Sequence, residues 1–120
     1  MNEFFLTQCE YLVSTREKLE LIYKDFPLTL SYKLSIKIIA AKVCIYGGLL
    51  NNDKSLYDYG IANFIQYSTE SIDLANNRDV ICLHNPNKMN VYKNSEGERQ
   101  ISLKLKNQYD EFISWGKQRF

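Results

Sequence analysis

The sequence predicts an α+β fold: three N-terminal helices, a small three-stranded antiparallel sheet and a C-terminal helix, in a single domain spanning residues 1–120. Three observations predict it. Apolar residues recur at helical spacing from the N-terminus to residue 75. Between residues 79 and 105 the pattern changes to short runs separated by turn-forming residues. From residue 107 helical spacing returns.

The first helix is expected over Asn2–Lys24. Phe5, Cys9, Leu12, Leu19 and Tyr23 share one face, with Phe4 and Ile22 at its edge, while Glu3, Glu10, Glu17 and Lys18 lie opposite. Phe26-Pro27 ends it, because the residue before a proline avoids the helical region. The short connection that follows implies an antiparallel hairpin with the next helix.

Thr29–Leu50 is the most apolar run in the chain. At period two, Leu28 to Ile38 alternates like a half-buried strand. At period 3.6, Leu30, Leu34, Ile38, Ala41 and Ile45 form one row, and Tyr32, Ile36, Ile39, Val43 and Tyr46 form a second. Length decides for helix: no turn signal interrupts Ser31–Tyr46, and strands usually run about 3–10 residues. Ser31 is the expected N-cap and Gly47-Gly48 the expected stop. A helix with two apolar rows belongs between layers, so this one is central, with Ile38 expected deep in the core.

The third helix starts at a cap on Asn52 or Asp53 and runs to about Ala75. Tyr57, Ile61, Phe64, Ile65, Ile72 and Ala75 are its expected inner side, and Gly60 marks a kink or a close contact. The three predicted strands are Asp79–His84, Met89–Lys93 and Arg99–Leu105. The turns between them are Asn85-Pro86-Asn87-Lys88 and Asn94-Ser95-Glu96-Gly97. The last helix, Asn107–Lys117, carries Tyr109, Phe112, Ile113 and Trp115 at helical spacing. Asn107 caps it, and Asp110 and Glu111 stand in its first turn.

Composition bounds the function. A chain of 120 residues that is 45% hydrophobic can build a core without metal or disulfides. A net charge of +1 is not that of a dedicated duplex-DNA binder. The charge is uneven: residues 51–77 hold Asp53, Asp58, Glu70 and Asp73 against Lys54, whereas residues 78–120 are mildly basic. Cys9, Cys44 and Cys82 are odd in number and far apart, which reads as free thiols in a reducing compartment. The N-terminus lacks the pattern of a signal peptide, and lysines interrupt the one long apolar stretch. The expected location is the cytoplasm, without a membrane segment.

No stretch carries a motif that defines a reaction, and no cofactor or metal is expected. Cys82 and His84 would share a face of their strand, but a zinc site needs three or four ligands, and a buried thiol beside an edge histidine is the simpler reading. The lone histidine has no nucleophile elbow to serve. Gly47-Gly48 is not followed by Lys-Ser/Thr, so it is no phosphate loop. Lys88, Lys93, Arg99, Lys104, Lys106, Lys117 and Arg119, with Tyr92 and Trp115, offer charge and stacking to RNA. They lack the aromatic signature of an RNA-binding sheet.

The third helix carries the most specific feature. With its apolar side inward, Tyr59, Asn63, Gln66, Glu70 and Asp73 form the opposite stripe. The stripe is acidic, rich in hydrogen-bonding groups, and contains a tyrosine that the core does not need. Nine tyrosines in the chain strengthen the point, because tyrosine is enriched at interfaces. The expected function is a non-enzymatic inhibitor that covers a basic protein, such as a nuclease-like toxin, in the manner of an immunity protein or antitoxin. A phage-type inhibitor of a host defence protein and a small RNA-binding module are the alternatives.

Overall fold

A computed structural model describes residues 2–23, 30–76 and 95–120. Among the described residues there are four helices and no strand: α1 (Asn2–Tyr23), α2 (Leu30–Leu50), α3 (Lys54–Asn76) and α4 (Ser95–Arg119). The α+β expectation is therefore overturned: the described fold is all-helical. The predicted strand Arg99–Leu105 is part of α4, and Ser95-Glu96-Gly97, expected as a turn, opens that helix. The predicted strands Asp79–His84 and Met89–Lys93 lie outside the described residues.

The physical reason is visible in α4. Alternation of Ile101, Leu103 and Leu105 mimics a strand, yet Leu103 and Leu105 part company on the helix. Leu105 continues the row of Tyr109, Phe112 and Gly116 one turn upstream and packs beside the core, whereas Leu103 points away and is 58% exposed. Three alternating apolar residues over five positions are compatible with either period, and the apolar face that α4 lays on its neighbours decides for helix.

The four helices run alternately up and down. Cys9 Sγ lies 4.0 Å from the Val43 carbonyl and Phe5 faces Tyr46, so α1 and α2 are antiparallel. A Cβ added at Gly60 would lie 2.8 Å from the Ile45 nitrogen, and one added at Gly48 would lie 2.6 Å from the Tyr57 nitrogen. These two glycines let the backbones of α2 and α3 touch, again antiparallel. Helix α4 returns along α3, with Phe112 against Phe64 and the Tyr57 hydroxyl donating 2.8 Å to the Phe112 carbonyl.

Gly47-Gly48 thus does not stop α2, which runs on to Leu50. Glycine is used at position 48 for close approach, and the stop comes just after. Asn52 takes a left-handed φ of 56°, and the Asp53 amide donates 2.8 Å to the Gly48 carbonyl, a Schellman closure with asparagine in the left-handed place. Asp53 then turns round and caps α3, its Oδ1 accepting from the Leu56 amide at 3.1 Å. One residue closes one helix and opens the next, so the α2–α3 corner is short and tightly specified.

The core lies where the N-terminal end of α1, the C-terminal half of α2, the N-terminal half of α3 and the C-terminal half of α4 meet. Phe5, Ile45, Leu49, Phe64 and Phe112 are its fully buried side chains. Tyr46 and Trp115 join it through ring contacts with Phe5 and Phe112 at centroid separations of 5.4–6.1 Å, mostly edge-to-face or tilted. The expected row Leu34, Ala41 and Ile45 is buried, but Ile38 only packs partly buried against the cluster, and Ile45 is the deeper side chain. On α3, Ile65 is 46% exposed where an inner position was expected, and Gly60 and Ser68 take the inward places beside Tyr57 and Phe64.

Candidate functional site

The stripe expected on the third helix lies on α3, on the side away from the aromatic core. Tyr59 is 64% exposed, Asn63 is half-buried, and Gln66 and Glu70 are exposed. Asp73 lies within α3, but its side chain is outside the described residues. The polar groups support one another along the helix. Asn63 Nδ2 donates 2.8 Å to the Tyr59 carbonyl, and Gln66 Nε2 approaches Glu70 Oε1 at 3.5 Å, the long limit of a hydrogen bond.

The acidic character of this segment is smaller than its composition suggests. Asp53 is engaged in capping α3, and Asp58 pairs with Lys54 at 2.8 Å one turn away. Of the carboxylates counted in residues 51–77, Glu70 and Asp73 are the two that belong to the stripe.

Packing of α2 on α3 adds residues that sequence reasoning missed. A shallow groove of about 180 Å³ runs between the two helices, lined by Lys37, Ala40, Ala41 and Cys44 of α2 and by Tyr59, Asn63 and Tyr67 of α3. Lys37 Nζ stands 4.9 Å from the centre of the Tyr67 ring, within cation–π range. The spacing of Lys37, Ala41 and Cys44 marks one face of α2 in the sequence. Their alignment with Tyr59 and Asn63 depends on the contact between Gly60 and Ile45, which periodicity does not encode.

Burial raises the Cys44 thiol above its ordinary pKa, and burial first, then Cys44 and Glu10, raises Cys9. Neither thiol is held as the thiolate that a nucleophile needs. Burial, then the neighbouring Lys104, lowers Lys42. Among the described residues no group of three or more His, Cys, Asp or Glu side chains is arranged to hold a metal ion. Cys82 and His84 lie outside the described residues.

Among the described residues the basic C-terminal side chains do not form one face. Lys104 and Lys106 are two positions apart on α4 and so point to nearly opposite sides, with Asp110 and Glu111 one turn on. Trp115 packs against Phe4 and Phe5 at 5.6 and 5.4 Å, and Arg119 donates 2.6 Å to Asn2 Oδ1. The tryptophan is used within the bundle and the arginine ties α4 to the start of α1.

No known protein family, curated protein or solved structure matches the chain. Among the described residues no helix is long and apolar enough to cross a membrane.

Proposed function

We propose that the protein is a non-enzymatic binding protein that covers a basic partner with the outer face of α3, in the manner of a toxin-immunity protein or antitoxin that blocks a nuclease-like domain. The observation that carries this reading is Tyr59: a large aromatic side chain, 64% exposed, set in a row with Asn63, Gln66 and Glu70 and beside a shallow groove. Exposed tyrosine flanked by hydrogen-bonding groups supplies contact area at low entropic cost, and carboxylates steer a basic partner to it. Lys37 is held over the Tyr67 ring, toward the Glu70 end of the stripe, so the aromatic anchor Tyr59 rather than net negative charge is the chief feature of this face. Less supports the RNA-binding reading, because its third strand is helical and Trp115 is partly buried against the core.

The test is capture of the partner from the native host, with the neighbouring gene product included, followed by binding kinetics at two salt concentrations. Tyr59→Ala should speed dissociation about tenfold or more, and Glu70→Lys with Asp73→Lys should slow association and flatten its salt dependence. Both variants should fold like the parent. If both bind like the parent, α3 is not the contact surface.

A further inference from the structure

The opposite edge of α3 carries a second concavity. A groove of about 370 Å³ lies between α3 and α4, walled by Phe64, Ile65, Leu105 and Tyr109, with Ser68 and Lys106 among its lining. That volume is at the lower end of sites that hold small molecules, and the makeup is theirs as well: apolar walls with a few polar groups.

Two features say what would fit. The first is Ser68. It is 7% exposed, and its Oγ makes no hydrogen bond among the described residues. Three helical threonines are satisfied by the carbonyl one turn back: the adjacent Thr69, which donates 2.8 Å to Ile65, and Thr7 and Thr15 in α1. A buried hydroxyl left without a partner is costly, and a ligand oxygen would relieve it. The second is Lys106, the one charged side chain among the described residues that line the groove, where no carboxylate is described.

We propose that the α3–α4 groove binds a small carboxylic acid with an apolar body. The body lies along Phe64, Ile65, Leu105 and Tyr109. The Ser68 hydroxyl, itself shielded from solvent, turns toward the groove to donate to a ligand oxygen, and Lys106 balances the carboxylate charge. This site does not rest on the protein-binding reading: Tyr59 and the groove lie on different edges of the same helix, so either can fail while the other stands.

The experiment uses the full chain and three probes with one apolar body: octanoate, octanol and octylamine. Binding is followed by amide chemical shifts and titration calorimetry. Octanoate should shift the amides of residues 64–69 and 105–109 and bind about threefold or more tighter than octanol, the range of an exposed charge pair. Octylamine should bind weakest. Ser68→Ala should weaken octanoate several-fold. Lys106→Glu, at an exposed position that leaves the fold intact, should erase the preference for octanoate over octanol. Shifts confined to other parts of the chain, or octanol binding as tightly as octanoate, would overturn the proposal. So would unchanged octanoate affinity in Ser68→Ala, which would assign the hydroxyl to its own helix. Loss of a captured protein partner in Lys106→Glu, without octanoate binding by the parent, would assign the groove to a macromolecule instead.

Discussion

The two ends of the bundle are built differently. At one end, α1 begins, α2 ends, α3 begins and α4 ends, and the side chains between them are aromatic and sealed: Phe5, Phe64 and Phe112 are each no more than 2% exposed. At the other end the described residues are more open. Leu34 is buried there, but Leu21 near the end of α1 is 68% exposed and Leu103 in the first half of α4 is 58% exposed. Both ends are helical, so secondary structure does not distinguish them. What distinguishes them among the described residues is the ring cluster. Phe5, Phe64 and Phe112 are sealed at one end even though Phe4, Leu6 and Phe120 beside them are 40–46% exposed, while toward the other end Leu21 and Leu103 are exposed and no comparable ring cluster is described. Stability in this protein should therefore be concentrated at the aromatic end.

The largest expected effect tests that concentration directly. Phe112 touches Tyr46, Phe64 and Trp115 and lends its carbonyl to Tyr57. Phe112→Ala should cost about 3–5 kcal/mol in chemical denaturation, enough to unfold a marginal domain. A loss below about 1 kcal/mol would mean that the aromatic end is not where the fold is held.

Alkaline pH should act at the same end. Burial first, then Glu111 and Cys9, pushes Tyr46 up to about 12 from its ordinary 10. The folded state keeps the phenol proton that the unfolded chain gives up, so the stabilisation is complete below pH 10 and drains away as pH rises toward 12. The loss should reach about 2 kcal/mol across that window, with Tyr57, also raised by burial, acting in the same direction. In denaturation curves taken from pH 9 upward, Tyr46→Phe should flatten much of this decline. A decline of the same depth in the variant would remove Tyr46 as its source.

A smaller effect lies at the α2–α3 corner. Asp53→Ala removes the cap on α3 and should cost about 1 kcal/mol, with the melting temperature falling by a few degrees. Asp53→Asn should recover most of it, because an amide oxygen also accepts from the Leu56 amide. The smallest effect is expected at the open end. Leu21→Ala and Leu103→Ala should each change stability by no more than about 0.5 kcal/mol. A cost of 2 kcal/mol or more at either leucine would show that it meets a partner in solution and would erase the contrast between the ends.

How far these features can be read in the sequence depends on the range of the interaction behind them. The row Leu34, Ala41 and Ile45 is legible because helix periodicity is local, and so is the capping role of Asp53, which needs only its own next turn. Gly47-Gly48 misleads for the opposite reason. A glycine pair looks the same whether it ends a helix or lets another backbone approach, and only the Tyr57 backbone at 2.6 Å from the added Cβ separates the two. The segment Ile101, Leu103 and Leu105 misleads because three alternating residues over five positions are too few to distinguish periods. The stripe Tyr59, Asn63, Gln66 and Glu70 follows from periodicity once α3 is helical, but the groove beside it does not.

The sequence by itself determines three helical segments before residue 77 and one after residue 107, the central place of α2, and which face of each helix is apolar. These are properties of residues a few positions apart, where the 3.6-residue repeat fixes the geometry. Tertiary structure alone decides that α4 extends back to Ser95, that Gly48 and Gly60 bring α2 and α3 into backbone contact, and that Ser68 lies buried beside an apolar groove. Each depends on the register of one helix against another, and that register is set by which side chains interlock across the interface rather than by the pattern along either chain segment.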